Sequence, residues 1–414
     1  MRQALAWAME HDPALALRLA VTLGWWWMLR GRLPGQSPLL REVAGCAAPG
    51  SDGWCAAQVW LGWAAVVSGD TAGALGSFTV LRDAVANRGS SRALVDALAG
   101  RAMALANMGR CAEAADDGRR AAAAARELGY PAGQALALAA LSNAANTAGD
   151  QHSAVRAAEQ AAQITARIPG WIARLCGWFL TSMLTDAGDL AAAERVGAAG
   201  LAGARDVGDL FNLAPLLTRM ALVDLLAARC GDAAAHLREG IQIAARIGSW
   251  IELLNGLDYC GYLCAVTGRP AEAVAMWAAQ AASLHREGFA DTPADAGRRC
   301  KPLRQARQAL GPDRARAAED RGAAMSLGTA AEYALLLTAP GPPQPQAAAG
   351  LGKLTARERE LVALVAQGRT DAQIAAQLRI SIRTVSSHMD RIRHKTGCRR
   401  RADLTRLALG AGLI

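Results

Sequence analysis

Strand-forming residues are scarce in this sequence: 414 residues include only four Tyr and four Phe, and Val and Ile are few beside Ala and Leu. A large sheet is therefore excluded and an all-α fold is expected. Nine cysteines, an odd number set mostly in apolar stretches, do not make a disulfide framework. Cys260 and Cys264 share a helix face but have no His or second Cys pair beside them, so a buried apolar role is expected and no metal. The six His are scattered, and no Ser/His/Asp, metal-ligand or paired-carboxylate spacing recurs, which argues against an enzyme. No Gly-x4-Gly-Lys-Ser/Thr occurs. The nearest approach, Gly350 to Leu354, lacks the hydroxyl residue, so no nucleotide or other cofactor is expected. The apolar stretch from Ala14 to Leu29 holds Trp25, Trp26 and Trp27 but is closed by Arg30 and Arg32. At ~1.5 Å per residue it is short for a bilayer and reads as a core helix. With no secretory pattern at the start, a cytoplasmic protein without a membrane partner is expected.

Charge is distributed unevenly. Residues 1–297 sum to −3, residues 298–321 to +5 and residues 351–414 to +8. A basic tail behind a mildly acidic body points to a nucleic-acid module, because cationic side chains displace counterions condensed on phosphates.

Glycine sets a rhythm of about forty residues through Gly31, Gly69, Gly109, Gly149, Gly188, Gly231 and Gly268. Five of these have Ala five residues on, at Ala74, Ala114, Ala154, Ala193 and Ala273. A second series, Gly89, Gly129, Gly170, Gly208, Gly248 and Gly288, falls between them. Two junctions per unit imply two helices per unit, with a small residue where they approach closely. The pattern resembles tetratricopeptide repeats, although the unit is longer. A superhelix of helical hairpins is expected over residues 1–337, its concave face offered to a protein or small-molecule effector. The rhythm fades after Phe289, where a basic stretch from Arg298 to Arg304 precedes two helices ending near Leu337. Residues 338–350, with four prolines and no charge, read as a linker.

In residues 351–414 start and stop signals agree on four helices. Thr355 with Glu358 and Thr370 with Gln373 are capping boxes, Ser381 caps a third helix running to about Thr396, and a fourth covers Arg401 to Leu409. Two helices parted by a three-residue turn fit a helix-turn-helix. On the third helix Val385, Met389, Ile392 and Thr396 make a buried stripe, while Arg383, Ser386, Ser387, Asp390, Arg391 and His394 face away. His388, on the edge of the stripe, is expected to pack half-buried, with a phosphate contact as the alternative.

Leu354, Thr355, Arg357, Glu358, Arg359, Glu360, Leu361, Ala366, Gln367, Gly368, Ile374, Ala375, Leu378, Ile380, Ser381, Thr384, Val385, His388, Ile392, Lys395, Gly397 and Arg401 together resemble the LuxR-type DNA-binding domain. The resemblance implies a bacterial transcription regulator that binds double-stranded DNA, commonly as a homodimer through its last helix. It places Ser386, Ser387 and Asp390 at base edges and Ser381, Thr384 and Lys395 near phosphates. Where family members often carry Lys or Arg, this chain has Ser386 and Asp390, so affinity should shift to Arg383, Arg391, Arg393, Lys395, Arg399, Arg400 and Arg401. Leu404, Leu407 and Ala408 are expected on the pairing helix. Residues 1–43 resemble the segment that follows the nucleotide-binding module in large ATP-binding LuxR-family regulators, and residues 310–335 the last repeat before their DNA-binding domain; the nucleotide-binding module itself has no counterpart in this sequence. The alternative is an interaction scaffold whose last domain has lost specific reading.

Overall fold

The structure, a computed structural model, describes residues 2–168, 170–286, 293–339, 354–367, 369–398 and 401–410. Gly288, Gly368, Arg399, Arg400 and residues 340–350 of the expected linker lie outside them. All regular structure among the described residues is helical. The order is α1 (Arg2–His11), α2 (Pro13–Leu29), α3 (Ser37–Gly45), α4 (Asp52–Ser68), α5 (Thr71–Val85), α6 (Arg92–Asn107), α7 (Cys111–Glu127), α8 (Pro131–Thr147), α9 (Gln151–Thr165), α10 (Trp171–Asp186), α11 (Leu190–Val207), α12 (Leu210–Leu226), α13 (Cys230–Ile247), α14 (Trp250–Val266), α15 (Pro270–Arg286), α16 (Pro293–Leu310), α17 (Pro312–Ala324), α18 (Leu327–Leu337), α19 (Ala356–Ala366), α20 (Asp371–Leu378), α21 (Ile382–Thr396) and α22 (Arg401–Gly410). By their contacts the residues fall into two compact units. One is Met1–Ala227 with Ile243–Glu252 and Thr292–Ala294; the other is Ala228–Gln242, Leu253–Asp291 and Asp295–Ile414.

The first unit is a run of antiparallel hairpins. At Gly69, Gly109, Gly149 and Gly188 the chain turns with positive φ, and Asp70, Asp150 and Asp189 directly after accept from the backbone N–H of Gly73, Ser153 and Ala192. The small residue five positions past each turn is fully buried at Ala74, Ala114, Ala154 and Ala193, where a larger side chain would push two helices apart. The hydrophobic core of the unit runs from Leu5 to Phe179, and Trp63, Trp171 and Phe211 meet edge to face along it at 5.5 and 6.5 Å. Carboxylates buried between helices are paired with guanidinium groups: Arg101 to Asp117 at 2.8 Å, Arg174 to Asp209 at 2.6 Å and Arg219 to Asp186 at 3.0 Å. The last two join neighbouring hairpins, since Arg174 and Asp186 lie on α10 and Asp209 and Arg219 at α12.

One repeat corrects the sequence reading. Gly231 is not a turn residue; it lies in the first turn of α13, and the left-handed position is taken by Ala228 with φ 60°. Counted through Ala228 the rhythm is regular, and Ala233, five residues on, is fully buried like its counterparts. Composition hid this because glycine is the usual, not the obligatory, occupant of that conformation.

In the second unit Cys260 and Cys264 are fully buried, and Tyr262 stands edge-on to Trp277 at 5.6 Å. Gly322 of α17 lies so close to α15 that an added Cβ would strike the Ala275 carbonyl. Two helices, α17 and α18, follow the basic stretch and end at Leu337; the stretch itself lies inside a further helix, α16. The buried Arg299 explains this, since it is bound to Asp258 and to Gln280 and anchors the helix. Residues 354–408 contribute a separate core of Leu354, Leu361, Val362, Leu364, Val365, Ile374, Leu378, Val385, Met389, Ile392, Leu404 and Leu407 with three alanines.

Candidate nucleic-acid interface

The site is assembled from local rules. Thr355 accepts from the N–H of Glu358 while the Glu358 carboxylate accepts from the N–H of Thr355, which fixes the start of α19. Thr370 and Gln373 do the same for α20. Between α20 and α21 the chain turns through Arg379 in the left-handed region, and Ser381 then accepts from the N–H of Thr384 to open α21. Gly397, also left-handed, closes α21. A two-helix unit with a three-residue turn results, and α21 is its second helix.

Val385, Met389 and Ile392 are buried against the domain core and Thr396 is half-buried. Ser381, Arg383, Thr384, Ser386, Ser387, Asp390, Arg391, Arg393 and His394 are all exposed. Ser381, Arg383, Thr384, Ser387, His388 and Arg391 line one shallow concavity at the start of the helix. Two guanidinium groups, three hydroxyls and the positive end of a helix converge there, a combination suited to a phosphate. His388 is half-buried as expected, and its Nδ1 is enclosed without a hydrogen-bond partner. Along the adjoining ridge, Ile382, Ser386 and Asp390 follow one another at intervals of four residues, so they form a nearly continuous row on the helix surface. Asp390 is tied to Arg393 at 3.0 Å, and both remain open to solvent.

Three expected roles meet other geometry. Lys395 does not reach outward: its Nζ lies 2.7 and 2.8 Å from the two carboxylate oxygens of Glu358, joining the start of α19 to the end of α21. That ammonium, together with the Thr355 N–H, holds the Glu358 carboxyl down at about 2. Arg401 is bound to the Asp371 carboxylate and the Arg369 carbonyl, so it joins α22 to the start of α20. Leu404, Leu407 and Ala408, expected on the pairing helix, are 0, 1 and 0% exposed in the domain's own core, where α22 packs on α19. Sequence reasoning missed Ile382, a large aliphatic side chain that is 55% exposed in the first turn of α21.

Residues 352–408 match the family described as bacterial regulatory proteins, luxR family. The chain is 44% identical over 59 residues to the response regulator Rre1 of Synechocystis, covering 14% of this chain and 26% of that one. It is 45% identical over 60 residues to the probable transcriptional regulator ycf29 of Cyanophora paradoxa, covering 14% and 29%. This chain thus spans under a third of the length of the curated relatives it matches. Among solved structures, a Rap protein complexed with competence and sporulation factor aligns over 94% of this chain and 99% of its own, with TM-score 0.51 and 11% identity. A tetratricopeptide repeat protein from Parabacteroides merdae aligns over 70% of this chain and 98% of its own at TM-score 0.38. No helix among the described residues is long and apolar enough to cross a membrane.

Proposed function

We propose that this chain, whose last domain is a helix-turn-helix of the luxR family, is a transcription regulator that reads double-stranded DNA with α21 and takes its signal through the helical repeats. The observation that carries the reading is α21 itself: an aliphatic stripe turned into the core and an outward side made almost wholly of hydrogen-bonding groups. A helix in the major groove needs that division, with its N-terminal residues at base edges and cations and hydroxyls at the flanking phosphates. Ser386, Ser387 and Asp390 are assigned to bases; Ser381, Arg383, Thr384, Arg391 and Arg393 to phosphates, with Arg399 and Arg400 following α21. Lys395 and Arg401 hold the reader in shape.

Regulators with one reading helix per chain gain affinity by binding as two copies on a two-fold related site, and we assign this chain that arrangement. The likeness of the repeats to a protein seen with a bound factor supports an effector on this chain's repeats too. Asp390 favours a second reading, a scaffold that no longer discriminates sequence, because an acid on the reading ridge repels phosphates.

Titration of DNA binding with salt tests the proposal. At ~0.9 per phosphate, about ten contacts in a dimer give a slope of log K against log salt of roughly −9. A slope near zero excludes DNA as the partner. Equal affinity for a selected site and for random genomic fragments selects the scaffold.

A further inference from the structure

Ile382 is the one large aliphatic side chain of α21 that the domain leaves in water: 55% exposed, while Val385, Met389 and Ile392 are buried. It is not needed to start the helix, since the cap is made by Ser381 with the Thr384 N–H and hydroxyl. Its place is specific. It is the first residue of α21 and heads the row that continues through Ser386 and Asp390. At about 100° per residue, successive members of such a row are offset by about 40°, so Ile382 flanks Ser386 directly. The N-terminal residues of a recognition helix reach base edges in the major groove, where thymine alone offers an apolar group, its C5 methyl.

We propose that Ile382 is a specificity-determining residue that reads a thymine by packing on its methyl group. The inference rests on the DNA-reading function proposed above. Ile382 cannot hydrogen-bond, so any base preference it confers is a preference for the methyl itself. Removing that methyl from the wild-type complex is equivalent to exposing one buried carbon, an effect of about fourfold in affinity.

The experiment selects duplexes from a random pool with the full-length chain, then replaces each thymine of the selected site in turn by deoxyuridine. The expected result is a loss of about fourfold at one position of each half-site. Ile382→Ala should bind the thymine site about as weakly as wild type binds the uracil site, and should be indifferent to the replacement. Ser386→Ala, by contrast, should keep the penalty. Wild-type indifference to uracil at every position overturns the proposal, as does an Ile382→Ala variant that keeps the full penalty. Since the first comparison uses unaltered protein, misfolding of a variant does not decide it. Failure to recover any preferred site sinks the DNA-reading function and this inference together, whereas a preferred site without methyl dependence sinks only the inference.

Discussion

Replacing Lys395 by Met separates two roles for this cation: contact with DNA and support of the reader. Glu358 is 3% exposed and its carboxyl is held at about 2 against an ordinary 4.5. At ~1.4 kcal/mol per unit that difference sets a ceiling of about 3 kcal/mol on what its partners in the folded state contribute. Lys395 supplies the largest share, but its ammonium is a third exposed and partly screened. A loss of about 2 kcal/mol in the stability of the last domain is therefore expected, because Glu358 is left charged and covered. The assay is amide exchange in the full-length chain: protection at Val385, Met389 and Ile392 should fall about 30-fold. The salt slope of DNA binding should stay as in wild type. In Arg391→Ala the same two measurements should reverse, with exchange unchanged and the slope shallower by about 1.8, one phosphate contact being lost from each chain of the dimer. A Lys395→Met variant with normal exchange and a shallower slope would refute the structural role and return Lys395 to the phosphates. Acid should mimic the substitution. The folded carboxyl titrates below the unfolded one, so the stabilisation is complete above pH 4.5 and disappears as pH falls toward 2.

Ala228→Gly should raise the urea midpoint by the equivalent of about 0.5–1 kcal/mol, since Ala228 is exposed and left-handed; a lower midpoint would mean its methyl makes a needed contact. Ala154→Leu should cost about 1–3 kcal/mol in the same assay by overpacking a fully buried approach between helices, and an unchanged midpoint would show that the hairpin can open there. Asp390→Asn should tighten binding to random duplexes by several-fold while altering the base preferred at one position; weaker binding to all sequences would show that Asp390 serves chiefly to orient Arg393.

What could be read from the sequence was local. Thr355, Thr370 and Ser381 act within three residues of themselves, and so were visible as caps in the chain alone. The forty-residue rhythm was visible because most turns use glycine, and it misled at Gly231 because Ala228 does the same work with a Cβ. The engagements of Lys395 and Arg401 were not visible, since their partners lie 37 and 30 residues away and only the packed helices bring them together. The resemblance for Lys395 and charge for Arg401 point to phosphates instead. The resemblance puts Leu404, Leu407 and Ala408 on a pairing helix, but a pattern in one chain does not say whether such residues pack in their own domain or on another chain. Ile382 lies beside the buried stripe in the chain, so pattern alone does not distinguish it from a core residue.

The ion pairs linking α10 to α12 also bear on how such an array can evolve. Arg174 and Asp186 belong to one hairpin, and their counterparts Asp209 and Arg219 to the next. Recombination that dropped or duplicated either hairpin would strand a guanidinium or a carboxylate in a dry seam, so these units are keyed to their neighbours rather than interchangeable. Growth or shortening of the body is thereby steered away from this joint, and a lineage of such proteins should vary in length elsewhere.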